Sequence, residues 1–349
     1  MRLINSIHYA SRMLGSLIRR TPSLTLAFIY PSYRCNLRCT YCNLPNIATD
    51  ELPTEQWLGV IDQLASLGCR RINILGGEPL IYPNISDLIV RVRKQGMSCI
   101  LGSNGLLVKK MIDQIRLVNT LVLSLDAVGP SNEQVRGDGV FESVKEAIAA
   151  AKDAGIPVKL NAVLSEKTAQ KIDEILGFTD QHDLYITVNV MRSESPYLHR
   201  NAAHIKAENA EIQRVLQRLT ILSQTKPRLL ISSPSYHYAS HWKDYSKDRL
   251  DADELSSLDS ILRNNPRCQA GRYYMTISPD GIVYPCIITM GSVPGGNVVT
   301  DGVAKAWQKL HNHSCAACFS LCMVELNHLF SLSPKVLLNF MIRHLRRFS

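Results

Sequence analysis

Six short apolar runs, separated by longer stretches of helical periodicity, constrain this 349-residue chain more than any other feature. The runs are LTLAFIY (24–30), INIL (72–75), SCILG (98–102), LVLSL (121–125), VKLNAVL (158–164) and YITVNVM (185–191). They are brief and rich in β-branched residues, as strands buried on both faces of a parallel sheet are. Between them lie helical patterns such as TEQWLGVIDQLASLG, ISDLIVRVRKQG and FESVKEAIAAAKDAG, each closed by a glycine placed as a C-terminal cap. Six such units in series predict an α/β fold, a partial (β/α)6 barrel of the TIM type, with its chemistry at the C-terminal ends of the strands.

The first strand leads directly into RCNLRCTYC (34–42), which sets Cys35, Cys39 and Cys42 in a C-x3-C-x2-C spacing. The chain is 46% hydrophobic and 20% charged and contains no apolar run of membrane-spanning length, and its start lacks an export signal. The expected compartment is therefore the cytoplasm, where thiols stay reduced and clustered cysteines are metal ligands or catalysts rather than disulfides. A [4Fe-4S] cubane normally takes four thiolates, so three leave one iron with an open position for a substrate or cosubstrate. Structural zinc takes a closed set of four ligands, and no fourth cysteine or histidine lies near this loop.

The net charge of +9 belongs to the ends. Residues 1–49 and the stretch after Glu325 carry basic residues and no acidic one, while the centre is close to neutral. Both ends also show helical apolar stripes. Leu3, Ile7, Ala10, Leu14, Leu17 and Ile18 oppose Arg2, Arg12, Arg19 and Arg20, and Leu337, Met341, Leu345 and Phe348 follow a Ser333-Pro334 helix start. Such helices either cap the domain or lie peripherally on an anionic membrane surface, at its inner face. No aromatic platform or binding module points to nucleic acid.

Five further cysteines gather near the C-terminus. CQAGRYYMTISPDGIVYPC places Cys268 and Cys286 at either end of a predicted β-hairpin turned by SPDG, and CAACFSLC holds Cys315, Cys318 and Cys322. Two separated cysteines and a C-x2-C pair also suit a zinc ribbon, which stays open as an alternative. Cys69 and Cys99 are expected to be buried and without a role, and His237 and His241 have no supporting ligands. The expected division is a basic helix (1–20), the barrel (21–233), a helical linker (234–265), an auxiliary hairpin domain (266–323) and basic C-terminal helices (324–349).

The cysteine loop resembles that of the radical S-adenosylmethionine (radical SAM) enzymes, and further matches follow in order. LGGEPL comes after the second strand, SNG after the third, SLDA ends the fourth, and VRGDGVFESVKEAI resembles the next loop and helix. The resemblance implies a [4Fe-4S] cluster on Cys35, Cys39 and Cys42 that is chelated by SAM. It implies SAM contacts at Gly76, Gly77, Glu78 and Pro79 (amino group), Ser103 and Asn104 (ribose), Ser124 and Asp126, and Arg136 (carboxylate). Tyr41 would pack near the adenine and Asn161 would line the barrel. The family more often has His-Asp where this chain has Asn132 and Glu133.

The C-terminal region resembles the SPASM/Twitch auxiliary iron-sulfur domains, including G-x4-C at Gly281 to Cys286. Five cysteines rather than seven imply one auxiliary [4Fe-4S] cluster, on Cys268, Cys286, Cys315 and Cys318, with Cys322 spare or replacing Cys318. The implied reaction is reductive SAM cleavage to a 5′-deoxyadenosyl radical that abstracts hydrogen, with electrons from a flavodoxin or ferredoxin. The basic ends favour a lipid or isoprenoid substrate, with a peptide or a small molecule as alternatives. A non-catalytic iron-sulfur or zinc scaffold would require decayed SAM loops, yet GGEP and SNG are intact.

Overall fold

The computed structural model describes residues 21–192, 206–258, 260–264 and 267–338, together with Gly15. The six expected strands form within one or two residues of their apolar runs: β1 (Leu26–Ile29), β2 (Arg71–Ile74), β3 (Ser98–Ser103), β4 (Thr120–Ser124), β5 (Val158–Leu164) and β6 (Tyr185–Val190). Each pairs in parallel with the next in chain order. Helices α1 (Thr54–Ser66), α2 (Ile85–Lys94), α3 (Pro130–Arg136), α4 (Val140–Asp153), α5 (Glu166–Ala169) and α6 (Ile172–Gln181) fill the crossovers except that from β3 to β4, which is made of turns. The capping glycines behave as their positions predict: Gly68, Gly96 and Gly155 follow α1, α2 and α4 with φ of 94°, 71° and 69°.

One face of α1 shows why these crossovers pack. Trp57, Val60, Ile61 and Leu64 recur at helical spacing and are all buried. They meet strand residues such as Ile72 and Ile74, which belong to the same core. The alternate strand residues tell the other half. Asn73, Lys159, Asn161, Tyr185, Thr187 and Asn189 share the opposite sheet face and are only half-buried, so a polar inner wall remains open at the centre.

The predicted hairpin forms as β8 (Tyr274–Ile277) and β9 (Val283–Tyr284), and β8 adds in parallel to the free edge of β1. The main sheet therefore has eight strands in the order β6-β5-β4-β3-β2-β1-β8-β9. The auxiliary segment is continuous with the barrel sheet, because the β1 edge offers unpaired backbone groups that only a strand can satisfy.

Two other expected boundaries fall differently. The stretch expected as a linker is packed structure: after α7 (Asn209–Thr225), helix α8 (Ser233–Ser240) buries Tyr236, Tyr238 and Ala239. Farther on, β7 (Arg249–Leu250) precedes two short helices, α9 (Ala252–Ser256) and α10 (Ser260–Arg263). After α11 (Gly302–Gln308), β10 (Ala317–Cys318) pairs with β7. The boundary expected between residues 323 and 324 lies inside α12 (Leu321–Phe330), which is largely core. Helix α12 closes the open side of the barrel. Its Asn327 accepts from Tyr274 Oη on β8 (2.8 Å), and its Cys322 donates to Asn189 Oδ1 on β6 (3.3 Å). Among the described residues no helix is long and apolar enough to cross a membrane. Residues 1–14, 16–20 and 339–349, which carry most of the basic amphipathic stripes, lie outside the described residues.

Candidate active site

The loop after β1 carries Cys35, Cys39 and Cys42 at the C-terminal end of the barrel. Its backbone rests on the loop after β2: Gly77 N donates to Ser32 O (3.1 Å) and Glu78 N to Arg34 O (2.8 Å). The approach is too close for any side chain. A Cβ at Gly76 would stand 2.5 Å from Ser32 O, and one at Gly77 would stand 2.2 Å from Arg34 O. These glycines thus have a structural task in seating the cysteines, besides the SAM contact the resemblance implies. Glu51, which no motif marked, pairs with Arg34 at 2.9 Å and accepts from Ser32 Oγ, which itself accepts from Arg34 N (2.9 Å).

Glu78 turns its carboxylate inward and is fully buried. Oε1 accepts from Ser103 Oγ (3.0 Å) and Leu80 N (3.1 Å), and Oε2 accepts from Asn104 N (2.7 Å). Burial pushes the carboxyl up to about 7, although these donors favour the charged form. Pro79 follows at the start of a single helical turn. Asn104 in turn donates to Asn36 Oδ1 (2.7 Å) and lies 3.8 Å from Cys35 Sγ. The loops after β1, β2 and β3 are thereby one hydrogen-bonded unit.

Across the mouth, Asp126 and Arg136 form a buried ion pair, Nε to Oδ2 at 2.7 Å, with side chains 0% and 6% exposed. Tyr41 joins them: its hydroxyl donates to Asp126 Oδ2 (3.0 Å) and accepts from Arg136 Nη2 (2.8 Å). Asp126 also accepts from Val163 N (2.9 Å), and its own N–H donates to Asn132 Oδ1 (3.1 Å). Asn132, the first of the two residues that stand where the family more often has His-Asp, is thus a buried brace for Asp126. Thr40 N donates to Val135 O, so α3 holds the second half of the cysteine loop. Ser124 and Asn161 are register partners on β4 and β5, on the inner wall. Asn161 Oδ1 accepts from Thr187 Oγ1 (2.9 Å) and Asn189 Nδ2 (2.8 Å).

Burial raises the thiols of Cys35 and Cys42 and pushes Cys39 up to about 11, so without metal all three are protonated at neutral pH. Among the described residues no three histidine, cysteine or carboxylate groups converge on a point that one ion would occupy.

The C-terminal cysteines divide four to one. Cys268, Cys286, Cys315 and Cys318 surround Tyr274, whose hydroxyl is raised first by burial and then by all four. A hydrogen bond between Cys315 and Cys268 draws the Cys268 thiol down and Cys315 up, with His313 reinforcing the first effect. Cys322 lies on the barrel side of α12, where the charges acting on its thiol are those of Glu325, Arg192 and Lys159. Sequence spacing treats Cys318 and Cys322 alike, and only the first turn of α12 separates their directions. Cys69 and Cys99 are fully buried, their thiols pushed up to about 12. His237 and His241 contact each other and carry no further ligands among the described residues.

Comparison with known proteins identifies two domains. The family model for the radical SAM superfamily matches residues 29–179, and that for an iron-sulfur cluster-binding domain, SPASM, matches residues 268–322. A PqqA peptide cyclase from Granulibacter bethesdensis is 32% identical over 42% of this chain, a match that spans only 41% of the cyclase. An AdoMet-dependent heme synthase from Methanosarcina barkeri is 23% identical over 78% of this chain and 79% of its own length. The structure of Streptococcus suis SuiB bound to precursor peptide SuiA superposes with a TM-score of 0.64 at 20% identity, covering 85% of this chain and 68% of that one. With the cysteine loop, the GGEP and SNG supports and both domain matches in place, the chain belongs to the radical SAM superfamily and carries a SPASM-type iron-sulfur domain on its barrel.

Proposed function

We propose that this chain is a radical SAM enzyme that modifies a peptide. The observation that carries the reading is the loop of Cys35, Cys39 and Cys42, seated on Gly76 and Gly77 and tied through Asn104 to the third strand. These thiols would hold a [4Fe-4S] cluster and leave one iron for SAM. When bound, that pair supplies a 5′-deoxyadenosyl radical, formed by one-electron cleavage of the sulfonium bond, which takes a hydrogen atom from substrate. The chain's own part is binding, orientation and exclusion of water. Gly77, Glu78, Ser103 and Asn104 fix the cysteine loop and present backbone groups beside it. Arg136 has five N–H donors, of which Asp126 and Tyr41 use some, so its buried cation still offers an edge to a carboxylate.

Cys268, Cys286, Cys315 and Cys318 would hold the auxiliary cluster, and a flavodoxin or ferredoxin would supply the electrons. The peptide reading draws support from one relative, named a PqqA peptide cyclase; the SuiB structure that shares this fold holds a precursor peptide. The lipid reading rests on basic end segments that lie mostly outside the described residues.

Anaerobic reconstitution with iron and sulfide tests the proposal. Wild type should bind about eight irons and form 5′-deoxyadenosine from SAM, and the Cys35/Cys39/Cys42 triple alanine variant should bind about four and form none. Full iron loading with no SAM cleavage in the wild type would mean a scaffold rather than an enzyme.

A further inference from the structure

Four arginines stand near the cysteine loop at the barrel mouth, and their charges are not equally engaged: Arg38 donates to the loop's own carbonyls, Cys35 O (2.8 Å) and Leu37 O (3.0 Å). Arg34 pairs with Glu51 and Arg136 with Asp126. Arg192, just past the end of β6, has no carboxylate partner among the described residues. Its Nη1 donates to Ile287 O (3.1 Å), the residue after Cys286, so the guanidinium spans the seam between barrel and auxiliary hairpin. Its charge acts on both Cys42 and Cys322.

The wall beside it is polar and linked. Cys322 Sγ donates to Asn189 Oδ1 (3.3 Å), and Asn189 Nδ2 donates to Asn161 Oδ1 (2.8 Å). Lys159, on the same inner face of β5, adds a second cation near Cys322. The one carboxylate acting there, Glu325, is already committed to Ser232 Oγ, Ser235 Oγ (both 2.6 Å) and Ser232 N (3.1 Å). Deeper in the barrel the wall is also unsatisfied. Thr276 and Asn73 both flank Phe28 in register, Thr276 is fully buried, and Thr276 Oγ1 and Asn73 Oδ1 have no partner. A polar wall with the Arg192 cation at its seam suits a guest with anionic and hydrogen-bonding groups.

We infer that Arg192, with Asn189 and Cys322, forms an anion-binding subsite at this seam that takes a carboxylate of the substrate, and that Cys322 is a free thiol of that subsite rather than a cluster ligand. The inference rests on the proposed reading of the barrel as the place where substrate meets SAM. It adds the chemical class of group that is held at the seam. In a peptide, the group is a side-chain or terminal carboxylate.

The test uses the cluster-loaded protein and two alkylating probes of nearly equal size, iodoacetate and iodoacetamide. Both need the same thiolate, so the ratio of their rates at Cys322, normalised to the ratio for glutathione, isolates the local field. We expect Cys322 to be alkylated in the loaded protein while the iron count holds, with a normalised ratio about fivefold or more in favour of iodoacetate. Arg192→Gln should bring that ratio close to the glutathione value, and salt should reduce it in the wild type. Cys322→Ser should keep the wild-type iron count. Loss of iron in Cys322→Ser, protection of Cys322 from both reagents, or a ratio unchanged in Arg192→Gln would each overturn the inference. None of these readouts depends on SAM cleavage, so failure of the proposed activity and failure of the subsite are told apart.

Discussion

At the residue scale, two glycines and one glutamate show what the motif is made of. Gly77→Ala would drive a Cβ into the carbonyls of Tyr33 and Arg34 at 2.3 and 2.2 Å, and backbone cannot step aside as a flexible side chain can. We expect this variant to lose about four of about eight irons, all from the first cluster, by iron count after reconstitution. Gly59→Ala is the control: it lies in α1 with nothing within 4 Å, and should raise stability by about 0.4–1 kcal/mol in a denaturant melt. Glu78 gives a pH signature. Its folded pKa, about 7, lies above the ordinary 4.5, so the neutral form is the one the fold favours. The stability this group contributes is fully present below about 4.5 and is lost as pH rises through 7, a change of about 3 kcal/mol. Glu78→Gln cannot ionise, so its melting temperature relative to wild type should climb between pH 5 and 8. A flat difference across that range would show that the buried carboxyl is already charged. The glycines were legible from the sequence as a motif. The carbonyls they meet were not, because nothing local in GGEP says that another loop lies against it.

At the scale of elements, the strands were legible because each is a short β-branched run with a period that matches a buried sheet, and VKLNAVL matches β5 end to end. The helix ends were legible because glycine alone adopts the required backbone without strain. What did not show was pairing. No local pattern in YYMTI marks it as a partner for β1 rather than for its own hairpin only, and it is both. The division among the late cysteines was hidden for the same reason, since C-x2-C-x3-C has no direction until α12 begins after Phe319 and Ser320. Arg192 was invisible, being one arginine at a strand end. Helix α12 itself carries a testable load. Asn327 Oδ1 accepts from both Tyr274 Oη and Gln269 N, and both donors lose their partner in Asn327→Ala. A buried donor left unpaired costs about 1–3 kcal/mol, and chemical denaturation should show a loss at the upper end of that range.

At the scale of the whole molecule, the eight-stranded sheet makes one object of the two cysteine regions. Removal of everything from residue 267 onward would strip β8 from β1 and α12 from the barrel, exposing an apolar strand edge and the Leu26–Ile29 surface. We expect the truncated protein to be insoluble or aggregated by size-exclusion chromatography, even though the residues matched by the radical SAM model are all present. A monodisperse, iron-binding truncation would show that the barrel is complete without its auxiliary strand.

The same pairing sets a schedule for the newborn chain. Thr25 Oγ1 reaches Tyr273 O across 248 positions, so the strand that delivers the cysteine loop has one bare flank until most of the polypeptide has left the ribosome. Closure across so long an interval is slow, because chain entropy must be given up before contacts reward it. The three thiols of RCNLRCTYC are therefore synthesised early and enclosed late. Until that closure the thiols have no finished fold around them.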